Sequence, residues 1–181
     1  MQIHPLIEGY AFTIQNFLSP SECQLSIQST EQLGYTDAPV TTHLGPMMLP
    51  MVRNNTRVMV DDLPLAQKLW SRFQPLAPDV PGWKAIGLNE RFRYYRYDPG
   101  ESFKPHSDGA FVRNAHERSM FTILLYLNEG FSAGDTVVNG LSVRPQTGMA
   151  LVFLHRILHE STELLQGRKY VMRSDIMYHR A

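Results

Sequence analysis

The chain has little cysteine and no excess charge of either sign. A single cysteine, Cys23, excludes a disulfide within the chain. Seventeen Lys and Arg balance seventeen Asp and Glu, which argues against nucleic acid or an anionic membrane surface as a default partner. No apolar run approaches the roughly 18 residues that span a bilayer, and the first residues lack the basic lead and apolar stretch of a secretory signal. These absences predict a cytoplasmic protein without a membrane segment.

The composition suits one compact domain. Of 181 residues, 43% are apolar and 19% are charged, which is enough for a single hydrophobic core and leaves little room for a second. We therefore predict one domain over residues 1–181. Helices and loops support it over about 1–85, and a β core that carries the chemistry follows over about 86–181.

Two helices are predicted in the first half. The sequence S-P-S-E makes Ser19 an N-cap with Glu22 as its capping-box partner, and Gly34 ends that helix. A second helix is predicted near 64–73, where apolar residues recur at intervals of four. The stretch 36–55 contains several prolines and methionines without a sustained period, which indicates a long loop or loose hairpin able to cover a site.

From Arg91 onward the pattern changes to short segments rich in β-branched and aromatic residues. RFRYYRY, SMFTILLYLN, TVVNGLSV, GMALVFL and KYVMRSDIMY are separated by turn signals such as DPGE and Asn139-Gly140. Strands of this length with no helices between them predict a mainly β fold with flanking helices. The expected architecture is a sandwich or barrel closed by Greek-key or jelly-roll connections.

Two histidines and an aspartate form a candidate metal site. His106 and Asp108 are two residues apart, so on extended backbone both side chains point to the same side and can reach one ion. His159 follows the apolar run MALVFL and is the preferred third ligand, although His155 also fits the loose spacing. Two histidines and one carboxylate on one face of an octahedral metal are typical of non-haem Fe(II) oxygenases. The open positions can take a 2-oxo acid and O₂.

A cation and two phenols are candidates for binding the co-substrate. Lys169 comes ten residues after His159 and opens the last strand, where its ammonium can bind the distal carboxylate of 2-oxoglutarate. Tyr126 and Tyr97 are on strands expected to face the same cavity, and a phenol can donate a second hydrogen bond to that carboxylate.

Two arginines are candidates for binding substrate. Arg173, four residues after Lys169, should share its inward face, and a buried arginine needs an anionic partner. That partner is either a substrate or co-substrate, or a carboxylate of the chain, Asp175 or Glu160. Strand alternation puts Arg93 on the side of Tyr97.

At these residues the sequence resembles the prolyl 4-hydroxylase-like branch of the 2-oxoglutarate and Fe(II)-dependent dioxygenase superfamily. The phrase Y-x-x-G-x-x-F-x-P-H-x-D, from Tyr97 to Asp108, is similar to the family's approach to its iron ligands. TILLYLN matches its strand with a co-substrate tyrosine, here Tyr126, and H-E-S followed by G-R-K-Y matches its distal histidine and lysine, here His159 and Lys169.

The resemblance implies a double-stranded β-helix, the cupin-like jelly roll, with Fe(II), 2-oxoglutarate and O₂ as cofactors. It also implies the family's hydroxylase reaction, in which 2-oxoglutarate becomes succinate and CO₂ and one oxygen atom enters an aliphatic C–H bond. Ascorbate commonly supports such enzymes. The expected substrate is a prolyl or peptidyl residue, or a small amino-acid-like molecule. The family's G-G-E-T turn is G-D-T here, and Arg173 and Asp175 stand where the collagen-type enzymes carry smaller or apolar groups; these departures bear on the substrate more than on the reaction.

Two other functions compete. A nucleic-acid dealkylase of the same superfamily needs a cationic groove, and the balanced charge and the absence of that branch's arginine pattern after His159 disfavour it. A non-catalytic cupin-like metal-binding module needs neither an aspartate two residues after the first histidine nor a cation ten residues after the last. A halogenase is disfavoured because Asp108 occupies the position that such enzymes leave to halide.

Overall fold

The computed structural model describes residues 2–42 and 44–181, without the side chain of residue 41. Most of the regular structure is β. The helices are α1 (Pro20–Leu33), α2 (Leu63–Phe73) and a 3₁₀ turn (Gln74–Leu76). The strands are β1 (Gln2–Ile7), β2 (Ala11–Gln15), β3 (Thr36–Asp37), β4 (Val40–Thr42), β5 (Gly45–Met47), β6 (Thr56–Asp61), β7 (Trp83–Leu88), β8 (Arg91–Tyr97), β9 (Phe103–His106), β10 (Val112–Asn114), β11 (Glu117–Tyr126), β12 (Ser132–Ala133), β13 (Thr136–Val138), β14 (Leu141–Val143), β15 (Ala150–Leu154), β16 (His159–Ser161), β17 (Leu164–Gln166) and β18 (Lys169–Arg180).

Two antiparallel sheets form the body of the protein. The larger has the order β1-β2-β15-β11-β18-β8-β6-β3, with β10 paired to β11 and β7 paired to β18. The smaller has the order β14-β13-β16-β9. Neighbouring strands such as β2 and β15 are far apart in sequence, so the chain crosses repeatedly between distant strands, as jelly-roll connections require. The predicted mainly β jelly roll with flanking helices is confirmed.

Both faces of the larger sheet are buried. Along β11, Ile123 and Leu125 belong to one apolar cluster with residues of α1 and α2, whereas Leu124 and Tyr126 belong to a second cluster with Val138 of the smaller sheet. Alternate residues of a strand point to opposite faces, so the central strands β2, β8, β11, β15 and β18 each contribute to both clusters. This explains why the strands are nearly continuous apolar runs in the sequence.

The helices begin and end close to where the sequence predicts. The Ser19 hydroxyl accepts from the Glu22 backbone N–H at 3.2 Å, and the Glu22 carboxylate accepts from the Ser19 N–H at 2.9 Å, so the capping box is formed. Gly34 follows α1 at φ +82°, a conformation that favours glycine. Helix α2 begins one residue before the predicted Pro64, with Asp62 as its N-cap.

Removing the N-cap of α1 is expected to destabilise the fold without touching the metal site. Ser19→Ala leaves the Glu22 N–H without its acceptor and should lower the free energy of unfolding by about 0.5–2 kcal/mol. Ser19→Gly should lower it by only about a few tenths of a kcal/mol. Urea unfolding of both variants measures the difference. An equal loss for both would mean that the cap does not contribute.

The methionine-rich stretch forms the predicted loose hairpin. Strands β4 and β5 pair with each other, and Arg53 makes an isolated backbone bridge to Phe103. Residue 43, between the two strands, lies outside the described residues. No helix among the described residues is long and apolar enough to cross a membrane.

Candidate iron and co-substrate site

The three predicted metal ligands come together between the two sheets. His106 and His159 are opposite each other in the register of β9 and β16. Asp108 follows β9, where its backbone N–H donates to the His155 carbonyl at 2.8 Å. One ligand atom from each residue of the triad lies within 4.8 Å of the others. The Asp108 carboxylate is 4.0 Å from His106 Nε2 and 3.6 Å from His159 Nε2.

Both histidines are oriented to present Nε2 to a metal. His106 Nδ1 lies 2.8 Å from the Lys104 carbonyl, and His159 Nδ1 lies 2.9 Å from the Ile157 carbonyl. A carbonyl only accepts, so Nδ1 carries the proton and Nε2 keeps its lone pair. Burial lowers the pKa of His106 to about 4 and also lowers the pKa of His159, which keeps both rings neutral, as metal binding requires.

The Asp108 carboxylate is held by two side chains. Arg173 donates to Oδ1 at 2.6 Å, and the Thr122 hydroxyl donates to Oδ2 at 2.6 Å. Burial raises the pKa of Asp108, but the charge of Arg173, the nearby His159 and the Thr122 hydrogen bond outweigh it and bring the pKa down to about 2. The site therefore offers two neutral imidazoles and one anionic carboxylate, a donor set that fits Fe(II).

His155 occupies a different place from the other two histidines. Its Nδ1 is 2.9 Å from the Thr122 hydroxyl, and its Nε2 is 2.8 Å from the Ser119 hydroxyl. It is buried and lies outside the triad. Through Thr122 it supports Asp108, so of the two histidines that the spacing allows, His159 is the one beside the carboxylate.

Lys169 is the buried cation of the site. It is 1% exposed, and its ammonium donates to the Gly134 carbonyl at 2.7 Å and to the Ser161 hydroxyl at 2.9 Å. It shares one cavity with the triad. Burial lowers the pKa of Lys169 to about 7, because no carboxylate bonds to the ammonium in the described residues.

The two predicted co-substrate tyrosines differ in their positions. Tyr97 lines the cavity, its ring centroid 5.1 Å from the Lys169 ammonium. Tyr126 is fully buried, and its phenol donates to the Thr136 hydroxyl at 2.7 Å. Thr136 is part of the cavity wall, so Tyr126 lies behind it rather than at the surface.

The two candidate arginines bind carboxylates of the chain. Arg173 points inward as predicted and lies 3.1 Å from Asp175 besides its contact with Asp108, so the alternative of a salt bridge to Asp175 is also present. Arg93 is 3.3 Å from the same Asp175. Sequence reasoning did not identify Thr122, although its position two residues before Leu124 puts it on the inward face of β11.

An open groove of about 600 Å³ adjoins the triad. It is bordered by His106, Asp108, Phe111 and the hairpin residues Pro39 and Val40. Arginines supply most of its charged wall: Arg53, Arg57, Arg93 and Arg173. The groove shares His106, Asp108 and Arg173 with the wall of the triad's cavity, whereas Lys169 lines the cavity but not the groove.

Comparisons with known proteins agree with this geometry. Residues 92–174 match the family model described as the 2OG-Fe(II) oxygenase superfamily, whose members use Fe(II), 2-oxoglutarate and O₂. The chain is 23% identical over 188 aligned positions to prolyl 4-hydroxylase 1 of Arabidopsis thaliana, an alignment that covers 87% of this chain. The chain spans 65% of the length of that relative.

Solved structures of prolyl hydroxylases share the fold. One is a Trichoplax adhaerens prolyl hydroxylase in complex with a peptide fragment of hypoxia inducible factor; it has a TM-score of 0.73 and 16% identity, over 93% of this chain and 84% of that chain. Another is the viral collagen prolyl hydroxylase of Paramecium Bursaria Chlorella virus-1 as a 2OG complex; it has a TM-score of 0.63 and 17% identity, over 94% and 96%. The match over 92–174 contains the triad and Lys169, so this part of the chain is similar to the 2OG-Fe(II) oxygenase superfamily, and with the jelly roll the chain resembles its prolyl 4-hydroxylase-like members.

Proposed function

We propose that the protein is a 2-oxoglutarate-dependent dioxygenase that hydroxylates an aliphatic C–H bond. The observation that supports this most directly is the pairing, in one cavity, of a His-His-Asp triad with a buried lysine. His106, Asp108 and His159 would hold Fe(II). With 2-oxoglutarate and O₂ bound, the iron supplies the oxidation, in which 2-oxoglutarate becomes succinate and CO₂ and one oxygen atom enters the substrate.

The chain's own residues would bind and orient the co-substrate. Lys169 would bind the distal carboxylate, giving up its contacts with Gly134 and Ser161 for an anionic partner. Tyr97 would close the cavity wall beside it. The cavity measures about 40 Å³, room for a few water molecules, so the lining side chains would have to move apart to admit the dicarboxylate.

The proposed substrate is a prolyl or peptidyl residue, or an amino-acid-like small molecule. Two observations support it: the prolyl hydroxylases that the chain resembles, one of them solved with a peptide, and the open groove beside the triad. The hairpin that borders the groove would form a lid over bound substrate. The proposal also includes ascorbate as the reductant that restores Fe(II). The protein would act in the cytoplasm as a single domain.

Anaerobic titration with Fe(II) and 2-oxoglutarate tests the proposal. A chelated 2-oxo acid gives a weak visible metal-to-ligand charge-transfer band, and adding O₂ should then yield succinate. We expect the band in the wild-type protein. A folded protein that binds Fe(II) but gives neither band nor succinate would be a metal-binding module instead.

The pH dependence of 2-oxoglutarate binding should reveal the role of Lys169. The pKa of the ammonium is about 7 in the free protein, and a bound carboxylate raises it, so binding takes up a proton once the pH exceeds 7. Affinity should be constant below pH 7 and fall by up to about tenfold per pH unit above it. The Lys169→Arg variant stays charged and should give a flat profile over pH 7–9. A wild-type profile as flat as that of the variant would contradict this role.

A further inference from the structure

The groove beside the triad carries unbalanced positive charge. Four arginines face two aspartates, Asp108 and Asp175. Arg173 binds both aspartates, and Arg93 binds Asp175. These contacts account for every carboxylate in the groove wall, and the remaining two arginines, Arg53 and Arg57, make no ion pair among the described residues.

Arg57 is placed to reach a ligand in the groove. In the register of β6 and β8 it lies opposite Tyr95, and Tyr95 lines both the groove and the cavity of the triad. Burial and the nearby charges of Arg53 and Arg93 all lower the pKa of Arg57. Partial burial of a guanidinium among other cations costs free energy unless an anion binds to it. The position of Arg57 therefore favours an anionic ligand.

Arg53 is held in place near Arg57 in the same groove. Its guanidinium lies between the rings of Tyr95 and Phe103, 4.6 and 4.5 Å from their centroids, and its Nε donates to the Asn55 side chain at 2.8 Å. Its Nη2 is buried and has no hydrogen-bond partner in the described residues. Phe103 in turn stacks on the ring of His106, with centroids 3.5 Å apart. The ring of Phe103 thus connects the arginine that carries the unsatisfied donor, Arg53, to the predicted metal ligand His106.

We propose that the enzyme binds its substrate through a carboxylate, which Arg57 holds in this groove near Arg53, so that a neighbouring carbon faces the triad that would hold iron. This inference rests on the proposed function and names its substrate class. The planar fork of a guanidinium matches a carboxylate in a bidentate way. A nucleic-acid backbone would need a longer basic surface than one groove in a chain of balanced charge provides. The carboxylate comes from a free amino acid or from an acidic side chain of a peptide.

Matched acids and amides test the inference. The probes are the common L-amino acids as free acids and as amides, and blocked dipeptides in which proline precedes glutamate or glutamine. Two signals are measured with each: perturbation of the anaerobic Fe(II)–2-oxoglutarate band, and succinate formed above the substrate-free rate. We expect at least one acid to act at a concentration about tenfold or more below that of its amide. A response to free acids would identify a free amino acid as the source of the carboxylate, and a response to the glutamate dipeptide would identify an acidic side chain of a peptide.

Variants assign the effect to Arg57. Arg57→Gln should raise the KM of the acid by about ten- to hundredfold, abolish the preference for acid over amide, and leave the band with 2-oxoglutarate alone unchanged. Arg57→Lys should restore only part of the preference, because it keeps the charge without the fork. Arg91→Gln is the control, since Arg91 is exposed on the same strand as Tyr95 and pairs with Asp61 outside the groove.

Each contrary outcome has a distinct meaning. A normal wild-type band with no acid preferred over its amide overturns the carboxylate inference and leaves the proposed function standing. A preference that Arg57→Gln does not change overturns the assignment to this groove. A wild-type protein that gives no band overturns the proposed function and this inference together.

Discussion

His159→Ala is expected to abolish 2-oxoglutarate turnover and Fe(II) binding while the protein stays folded. The loss should be larger than the roughly 10- to 100-fold that follows removal of a side chain supporting a metal ligand, because here the ligand itself is removed. Succinate formation should fall to the level of protein-free controls. Anaerobic Fe(II) titration should give no charge-transfer band, and circular dichroism should match the wild type.

Two further histidine variants sharpen this expectation. His106→Ala should behave like His159→Ala, since the two rings are opposite each other in the register of β9 and β16. His116→Ala is the matched control, because His116 is exposed and lies against His179 rather than the triad. Full activity in His159→Ala with activity lost in His155→Ala would assign the metal to the other histidine and overturn the proposed ligand set.

Asp108 needs a conservative replacement, because its carboxylate also neutralises Arg173. Removing the whole side chain would leave that buried guanidinium with Asp175 alone, and breaking a buried ion pair costs about 3–5 kcal/mol. Asp108→Asn keeps the volume, and its amide oxygen can accept from Arg173 while its amide NH2 donates to the Thr122 hydroxyl. We expect it to lose turnover with a smaller loss of stability, measured by urea unfolding alongside Asp108→Ala.

The sequence predicts this site well where chemistry depends on local spacing. Extended backbone puts His106 and Asp108 on one side, and the capping box at Ser19 fixes the start of α1 from four residues alone. The third ligand, His159, depends on how β16 pairs with β9, and no local pattern in the sequence reports that pairing. The resemblance to a family supplied what spacing left open between His155 and His159.

The limits of the sequence are clearest where partners are distant. That Tyr126 bonds to Thr136 depends on the contact between the two sheets. The strand order β6-β8-β18 decides which arginine meets which carboxylate. It brings Arg173 to both Asp108 and Asp175, whereas Arg57 binds neither. Strand alternation gives the face of a side chain but not its neighbour across the sheet. The charge of the groove therefore emerges only from the fold.

Replacing Lys169 is expected to weaken 2-oxoglutarate binding more than it slows chemistry. Lys169→Met nearly keeps the length of the side chain in a fully buried position and removes the charge together with the hydrogen bonds to Gly134 and Ser161, so it avoids the cavity that alanine would leave. Loss of one charge-assisted contact costs about 1.5–3 kcal/mol, which corresponds to a rise of about ten- to hundredfold in the KM for 2-oxoglutarate.

The stability of the Lys169→Met variant separates binding from folding. A buried ammonium whose pKa is lowered by desolvation destabilises the free protein, so replacing it by an apolar side chain should leave the free energy of unfolding unchanged or raise it. Lys84→Met on β7, where Lys84 is exposed, serves as the control and should change neither KM nor stability. An unchanged KM in Lys169→Met would move the co-substrate carboxylate to another cation. Because Arg173 and Arg93 are already bound to aspartates, the two other arginines of the groove, Arg53 and Arg57, would then be the candidates.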